Sequence, residues 1–521
     1  MPIKIKEEIE ASKPSVTEEL IVIAKSVYEI VKTKENNFLA YPCSGPKIAK
    51  GLAGSQNALS EDLLSRYYKL RKKVARDSQI TDAIRILQSE ARAKDPIRAH
   101  IRYAQVDDNI YVDLGDATGR AVHITAEGWK IIERPPVYFR RTALINPLPE
   151  PARGGHLEEI FSILNIPESH RSLFKGFLVA SCFENIPHPL LVLDGEQGCG
   201  KSKTAGYTHL LLDPSAAVLR TPPRDEAAWI EAAQGCYVVS LDNLSNISNA
   251  LSDALCRSST GAAHSKRQLF SDSDSIVYAF RSVVILNGIN LSDTRDDLND
   301  RLLTIQLPVI PANQRRYEKD LQAIWDAQYP LLLGALYDLC ALVIKEMPNT
   351  DLKELPRMAD FARILATIDR IEGGNSFHDY LVSISKSAEN IVDSDPFLKS
   401  LEAYIEATWI GSASELLSEL NKTSMHIYEK GWPDNPKAVT DKLRRSAPTL
   451  RKAGWEITDL DSTNHKKVIK WRITPPAGSA GSTFTFLEKE KEEGAVENLV
   501  GSENFPPRSP HFDSTGMAIN D

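Results

Sequence analysis

Six cysteines in 521 residues (Cys43, Cys182, Cys199, Cys236, Cys256 and Cys340) include no C-x-x-C pair and have no histidine partners at zinc spacing. A disulfide framework and a structural zinc are therefore not expected, and the pattern suits reduced thiols. An excess of basic charge is lacking too. Against 62 Lys and Arg stand 70 Asp and Glu, a formal net charge of −8 at pH 7, so any contact with nucleic acid has to come from local basic patches. No uninterrupted apolar run approaches the roughly 20 residues a membrane span needs, and the N-terminus MPIKIKEEIEASKPSVTEEL has no apolar signal core. The expectation is a cytoplasmic protein without membrane contact. Internal repeats are absent. What is present is a hydrophobic content of 42%, enough for two to four domains in a chain of this length.

Along the chain, Glu18 to Val31 and Ser60 to Ala91 carry apolar residues at helical spacing, so residues 1–96 read as a mainly helical N-terminal region. From 97 to 150 the texture changes to period-two runs broken by turns (RAHIRYAQVDDNIYVDLGD, RAVHITAEGWKIIE, PPVYFRRTAL), a small antiparallel β module. Its acidic residues Asp107, Asp108 and Asp113 read as solvent-facing, so a primase-type metal cluster is not expected. PLPEPARGG at 147–155 reads as a linker. Residues 151–394 alternate strands and helices and end in amphipathic helices at 317–346 and 357–370, an α/β unit with a parallel sheet and a helical lid. From 395 to 475 the order helix, turn, helix and β-hairpin is that of a winged helix-turn-helix. The acidic remainder, 476–521, offers no core and is expected to be disordered.

Within the α/β unit, Gly195-Glu-Gln-Gly-Cys-Gly-Lys-Ser202 matches G-x-x-x-x-G-K-[ST] between an apolar strand (LLVLD) and a helix-forming segment. Glycines let backbone N–H groups turn in on phosphates, and the helix N-terminus favours their charge. Gly195, Gln197, Gly198, Cys199, Gly200 and Lys203 make up the cradle. Lys201 reaches the β and γ phosphates, and Ser202 can ligate magnesium. A second apolar strand ends in Asp242-Asn243, where Asp242 suits a Mg2+ held through water. A third ends in Asn287, an amide able to orient the attacking water. Arg301 opens a fourth apolar strand, and such an arginine can face a neighbouring subunit's γ-phosphate; a structural salt bridge is the competing reading.

Taken in order, GEQGCGKS, VVSLDN, SDALCRSSTGAAHSKRQLFSDSD, VVILNGI, DLNDRLL and LPRMADFAR closely resemble the AAA+ replicative helicases of phages, plasmids and mobile genomic islands. These are related to superfamily 3-like and minichromosome-maintenance helicases and to the helicase part of primase-helicases. The resemblance covers about residues 150 to 475. It implies an AAA+ P-loop ATPase core, a homo-hexameric ring using ATP and Mg2+, and DNA as partner alongside replication-fork proteins. It further implies Lys201, Ser202 and Asp242 at the nucleotide, Asn287 as first sensor, Arg301 as a finger given in trans, and Arg357 as second sensor with Arg363 as competitor. Lys266 and Arg267 would lie on a channel hairpin gripping the DNA backbone. One position departs from the wider ATPase pattern: Asn243 stands where a glutamate base is common and cannot accept a proton, leaving Glu196 and Asp253 as other candidates.

The local basic patch required by the acidic balance falls in the last folded segment: Lys437, Lys442, Arg444, Arg445, Arg451, Lys452, Lys466, Lys467, Lys470 and Arg472. Lys442 and Arg445, three apart on a helix, suit phosphates along a groove, with Lys466 and Lys467 in the wing. The expectation is an ATP-dependent DNA helicase of a mobile element. An origin-binding initiator or helicase loader that uses ATP as an assembly switch is the alternative.

Overall fold

The computed structural model describes residues 14–52, 58–244, 247–261, 263–267, 275–279, 281–288, 296–353, 355–429, 431–460 and 469–476, with the backbone alone at 263–267 and 275–279. Of the acidic segment 476–521, read from sequence as disordered, residues 477–521 lie outside the described residues.

Ser15 starts helix α1 (Val16–Val27) with a capping box: its hydroxyl accepts from the Glu18 N–H at 3.3 Å, and the Glu18 carboxylate accepts from the Ser15 N–H at 2.7 Å. The helix does not run on to Val31. Tyr28–Lys32 (β1) turns extended and pairs antiparallel with β2 (Phe38–Pro42), which pairs with β3 (Lys50–Gly51). Ile30 and Val31 are β-branched and face Ala40 and Leu39 across that pairing, so cross-strand packing overrides the local helical period. Helices α2 (Leu59–Arg71) and α3 (Asp77–Arg92) follow, separated where Lys72 turns left-handed at φ 57°. The N-terminal region is thus helices on a three-stranded sheet rather than helices alone.

Next come β4 (Ala99–His100), β5 (Tyr103–Val106), β6 (Asn109–Asp113), β7 (Ala121–Thr125), β8 (Gly128–Ile132) and β9 (Tyr138–Phe139), with β5 to β8 forming an antiparallel meander. One face of the meander, including Val112, Val122 and Ile124, joins the main hydrophobic core. A buried ion pair reinforces the junction. Arg102 Nε meets Asp213 at 2.8 Å with neither side chain exposed, and Asp213 also accepts from the Tyr237 and Val238 N–H groups. Removing one partner of such a pair costs about 3–5 kcal/mol, because the other charge is stranded. Asp113 is not solvent-facing as the sequence suggested: it is buried, paired with Arg141 at 2.6 Å, and accepts from the Gly115 N–H.

After a short 3-10 turn at Leu157–Ser162, α4 (Glu168–Cys182) leads into the central sheet. Its strands are β10 (Leu190–Asp194), β11 (Leu219–Arg220), β12 (Val238–Leu241), β15 (Val283–Asn287) and β16 (Leu302–Gln306), all parallel in the spatial order β11-β12-β15-β10-β16. Numbered by their order in the chain, that is 2-3-4-1-5. The runs LLVL, VVSL and VVILN are apolar without alternation because helices cover both faces. The crossovers carry α5 (Lys201–Leu212), α6 (Glu226–Gln234), α7 (Asn249–Thr260) and the short α8 (Asp296–Asn299); between α7 and β15, β13 (Ala263–Arg267) and β14 (Ser275–Ala279) form a separate hairpin.

Helix α9 (Glu318–Glu346) is long and apolar enough to cross a membrane, but Leu332, Leu336, Tyr337, Cys340 and Val343 pack its apolar side into the core. The linker is packed rather than loose: a Cβ on Gly334 of α9 would lie 1.8 Å from the Ala152 carbonyl, so only glycine permits that approach. Helices α10 (Ala359–Glu372) and α11 (Ser376–Ser394) complete the unit. The last unit is α12 (Pro396–Tyr404), β17 (Trp409–Ser412), α13 (Ala413–Thr423), α14 (Pro436–Lys452), β18 (Glu456–Leu460) and β19 (Lys470–Thr474), with an antiparallel sheet β17-β19-β18 and its own core around Phe397, Leu416, Val439, Leu443, Trp455 and Trp471.

Two histidines sealed beside the central sheet make stability pH-dependent. Burial, with Arg281 nearby, holds the His188 imidazole down to about 3, and burial holds His209 down to about 4 although Asp213 opposes the shift. Both stay neutral in the fold while the unfolded chain takes up protons below about pH 6.5, so stability is lost as pH falls through that window. Each histidine should cost about 2 kcal/mol by about pH 5. Thermal unfolding should show a falling midpoint between neutral and mildly acidic pH; a midpoint that held steady would contradict this burial.

Candidate active site

The loop between β10 and α5 is shaped by glycines in the left-handed half of backbone space: Gly195 at φ 143°, Gly198 at 86° and Gly200 at 87°. At Gly195 space is also short, since a Cβ would lie 2.6 Å from the Leu307 carbonyl and 2.9 Å from Cys199 Sγ. Asp194 accepts from the Gly195 N–H at 2.8 Å, and Asn165 Nδ2 donates to the Cys199 carbonyl at 2.9 Å and to the Pro308 carbonyl at 2.6 Å, stapling the loop to the segment after β16. Helix α5 starts at Lys201 with no side-chain cap and no acid in its first turn, so its first N–H groups and positive dipole end are directed at the loop. That cradle fits a phosphate chain.

Lys201 Nζ lies over the loop, donating to the Gly195 carbonyl at 2.6 Å and the Glu196 carbonyl at 3.0 Å. The second residue of α5 meets the ends of two strands. Ser202 Oγ donates to Asp242 Oδ1 at 3.1 Å, and Asn287 Nδ2 donates to Ser202 Oγ at 3.0 Å and also to Asp242 Oδ1. A hydroxyl and a carboxylate this close are the hard-oxygen pair that suits Mg2+, which needs only one or two protein ligands. Asn243 is exposed, left-handed at φ 58°, and its N–H donates to Asp242 Oδ1 at 3.0 Å. Gln197 and Glu196 are exposed on the loop, and Asp253 is exposed on α7. Lys203 pairs with Glu318.

Arg315 is a residue the sequence reading missed. Its Nη2 lies 3.5 Å from where a Gly198 Cβ would sit, putting a guanidinium beside the loop. The only signal was a double arginine, Arg315-Arg316, in the stretch after β16, which carried no recognisable pattern.

Arg301 stands at the other end of the sheet. Parallel pairing matches Leu190 with Leu302 and Asp194 with Gln306, so at about 3.3 Å per residue Arg301 is more than about 13 Å along the strand direction from the loop. Its side chain, 9% exposed, is held by Asp297 at 2.9 Å. Arg357 is there too, paired with Asp297 and, at 3.3 Å, with Asp300, so it does not join Lys201 and Ser202 within one chain. Arg363 caps the chain after α9, donating to the Met347 and Thr350 carbonyls.

Among the basic residues, Lys266 and Arg267 lie on β13, with Arg267 opposite Ser275 at the turn end of the hairpin; the turn itself, 268–274, lies outside the described residues. Lys466 and Lys467 also lie outside them. Lys442 is turned inward, 13% exposed, paired with Asp395 at 2.8 Å and donating to the Gly431 carbonyl. It therefore does not share an open face with Arg445, which is exposed. Lys437, Arg444 and Arg451, seven apart on α14, form an exposed stripe instead.

A family model described as actinomycete integrative conjugative element replication protein matches residues 158–390, and a second, the RepA C-terminal domain of these elements, matches residues 397–483. The chain carries the RepA domains of a mobile conjugative element's replication protein. The loop, Asp242, Asn287 and Arg301 fall in the first RepA domain, and the exposed stripe of α14 falls in the second. No curated protein matches the chain. Among solved structures, the apo C-terminal region of NrS-1 (305–718) aligns at 10% identity and a TM-score of 0.37 over 89% of this chain and 100% of that one; its A form aligns at 12% and 0.37 over 88% and 98%. Similarity at that level carries no argument about activity.

The cradle's shape is testable without a ligand. Gly195→Ala forces a side chain into a strained conformation against Leu307 and should cost about 1–3 kcal/mol. A thermal midpoint equal to that of the unaltered protein would contradict the backbone described.

Proposed function

We propose that these RepA domains form an ATP-dependent DNA helicase that drives replication of the element, with an AAA+ core in residues 158–390 and a winged helix in the unit that follows. The observation that carries the reading is the convergence of Ser202, Asp242 and Asn287 at the mouth of a glycine loop held by Lys201. The strand order 2-3-4-1-5 supports an AAA+ core. The helix, strand, helix, helix, hairpin order of 396–474 supports the winged helix.

On this reading Lys201 and the α5 N–H groups would bind the phosphates, and Ser202 and Asp242 would hold Mg2+, which would supply neutralisation of the phosphate charge. Asn287 orients water beside them. Arg301 lies at the far end of its own sheet and cannot reach that loop, so it serves a second copy's site, which supports a closed ring such as a homo-hexamer. Arg357, bound to Asp300 and to the same Asp297 as Arg301, belongs to the Arg301 side. DNA contacts in the second domain are assigned to Lys437, Arg444, Arg445 and Arg451 rather than to Lys442. Asn243 favours a second reading, an initiator or loader that uses ATP as an assembly switch, because no carboxylate follows Asp242.

Lys201→Ala should abolish ATP hydrolysis. Arg301→Ala should lower turnover by roughly three orders of magnitude while sparing nucleotide binding. Strand displacement on a forked DNA by the purified protein tests the helicase reading; ATP turnover without displacement favours the switch, and full turnover in Arg301→Ala contradicts the finger.

A further inference from the structure

The Arg301 side chain is not free to choose its direction. Its backbone is pinned on both sides, with the Arg301 N–H donating to the Leu298 carbonyl at 2.8 Å and its carbonyl accepting from the Leu190 N–H at 2.8 Å. The guanidinium leans on Asp297, through its backbone carbonyl as well as its carboxylate, and its Nε has no hydrogen-bond partner among the described residues. What fixes the tip is therefore Asp297, and Asp297 is shared. Arg357 binds the same carboxylate through Nη2 and reaches Asp300 through Nη1 at 3.3 Å. Asp300 Oδ1 in turn accepts from Lys452 Nζ, the last residue of α14. Five alternating charges thus run from Lys452 in the second RepA domain to Arg301 in the first.

The Lys452 end of this series is sheltered, while Arg357 and Asp297 are about half exposed. Asp300, Asn299, Leu302 and Thr304 form one wall of a cleft whose other wall is Ser383 and Ser387 of α11 with Thr449 and Lys452 of α14. Lys452 is 30% and Asp300 19% exposed, so water screens that pair less than an ordinary surface pair. Helix α14 also carries the exposed stripe Lys437, Arg444 and Arg451, so the same rigid element holds the proposed DNA contacts and the end of the relay.

We propose that Lys452 is a positioning residue for Arg301: by holding Asp300 it fixes Arg357 and Asp297, and so sets the direction in which the Arg301 guanidinium is presented to the neighbouring copy's phosphates. This rests on the trans-finger reading above. Lys452 touches neither nucleotide nor the loop. Its loss frees Asp300 to draw Arg357 away from Asp297, and the Arg301 tip shifts with Asp297, its only carboxylate partner among the described residues. Misplacement of a charge-stabilising group by about 1 Å can cost up to about 100-fold in rate.

The test compares steady-state ATP turnover of the full chain carrying Lys452→Met, which keeps the aliphatic stem, and Lys452→Arg, which keeps the charge, with Arg301→Ala measured alongside. The expected result is a roughly tenfold or greater fall in kcat for Lys452→Met, an unchanged KM for ATP, an unchanged thermal midpoint, and recovery to within about threefold in Lys452→Arg. Unchanged or raised kcat in Lys452→Met overturns the proposal, as does a loss that tracks a lowered midpoint or a raised KM. If Arg301→Ala keeps full turnover, the finger reading itself fails. If Arg301→Ala is inactive and Lys452→Met is normal, only the relay fails.

Discussion

Leu193 pairs with Asn287 and Leu190 with Leu302, and from those registers follows where every reactive side chain of the first RepA domain stands. Parallel strands deliver their C-terminal ends to one edge of the sheet, so the glycine loop after β10, Asp242 after β12 and Asn287 at the end of β15 meet there. A shift of one residue in β12 or β15 would turn its side chains to the other face and break the Ser202, Asp242 and Asn287 contacts. The same register sends Arg301 to the opposite edge. A single copy thus holds the cradle at one end and the arginine at the other, the arrangement that the proposed intersubunit site requires.

How much of this was legible in the sequence depended on distance along the chain. The loop was legible because strand, glycines and helix are consecutive, and Asp242 and Asn287 because each directly follows a continuous apolar run. The strand Tyr28–Lys32 was not, since its residues continue a helical period and only pairing with Phe38–Pro42 selects the extended form. Asp113 read as solvent-facing, whereas Arg141, 28 residues on, closes over it. Lys442 looked like a DNA ligand because its partner Asp395 lies across a fold that helical spacing does not reveal. Arg357 matched a motif, yet its neighbours Asp297 and Asp300 are about 60 residues away.

Charge is used differently in the two halves of the molecule. Buried pairs such as Arg102 with Asp213 lock the β meander to the start of β12, where a single truncation strands a charge. At the cleft between α11, α14 and β16 a series of partly exposed charges begins instead, in which Asp300, Arg357 and Asp297 are each shared between two partners. A shared carboxylate can move between them at small cost, which suits a junction that transmits position rather than one that only fastens. Within a chain of acidic balance, Lys437, Arg444 and Arg451 still gather on one exposed stripe of α14.

The central claim is that one copy's loop and another copy's Arg301 complete a single site. Mixing purified Lys201→Ala with Arg301→Ala tests it most directly, since each variant is expected to be inactive alone while each keeps the half the other lacks. The account predicts that the mixture regains ATP turnover as subunits exchange. A mixture that stays as inactive as its components, with exchange verified by labelled subunits, would contradict it.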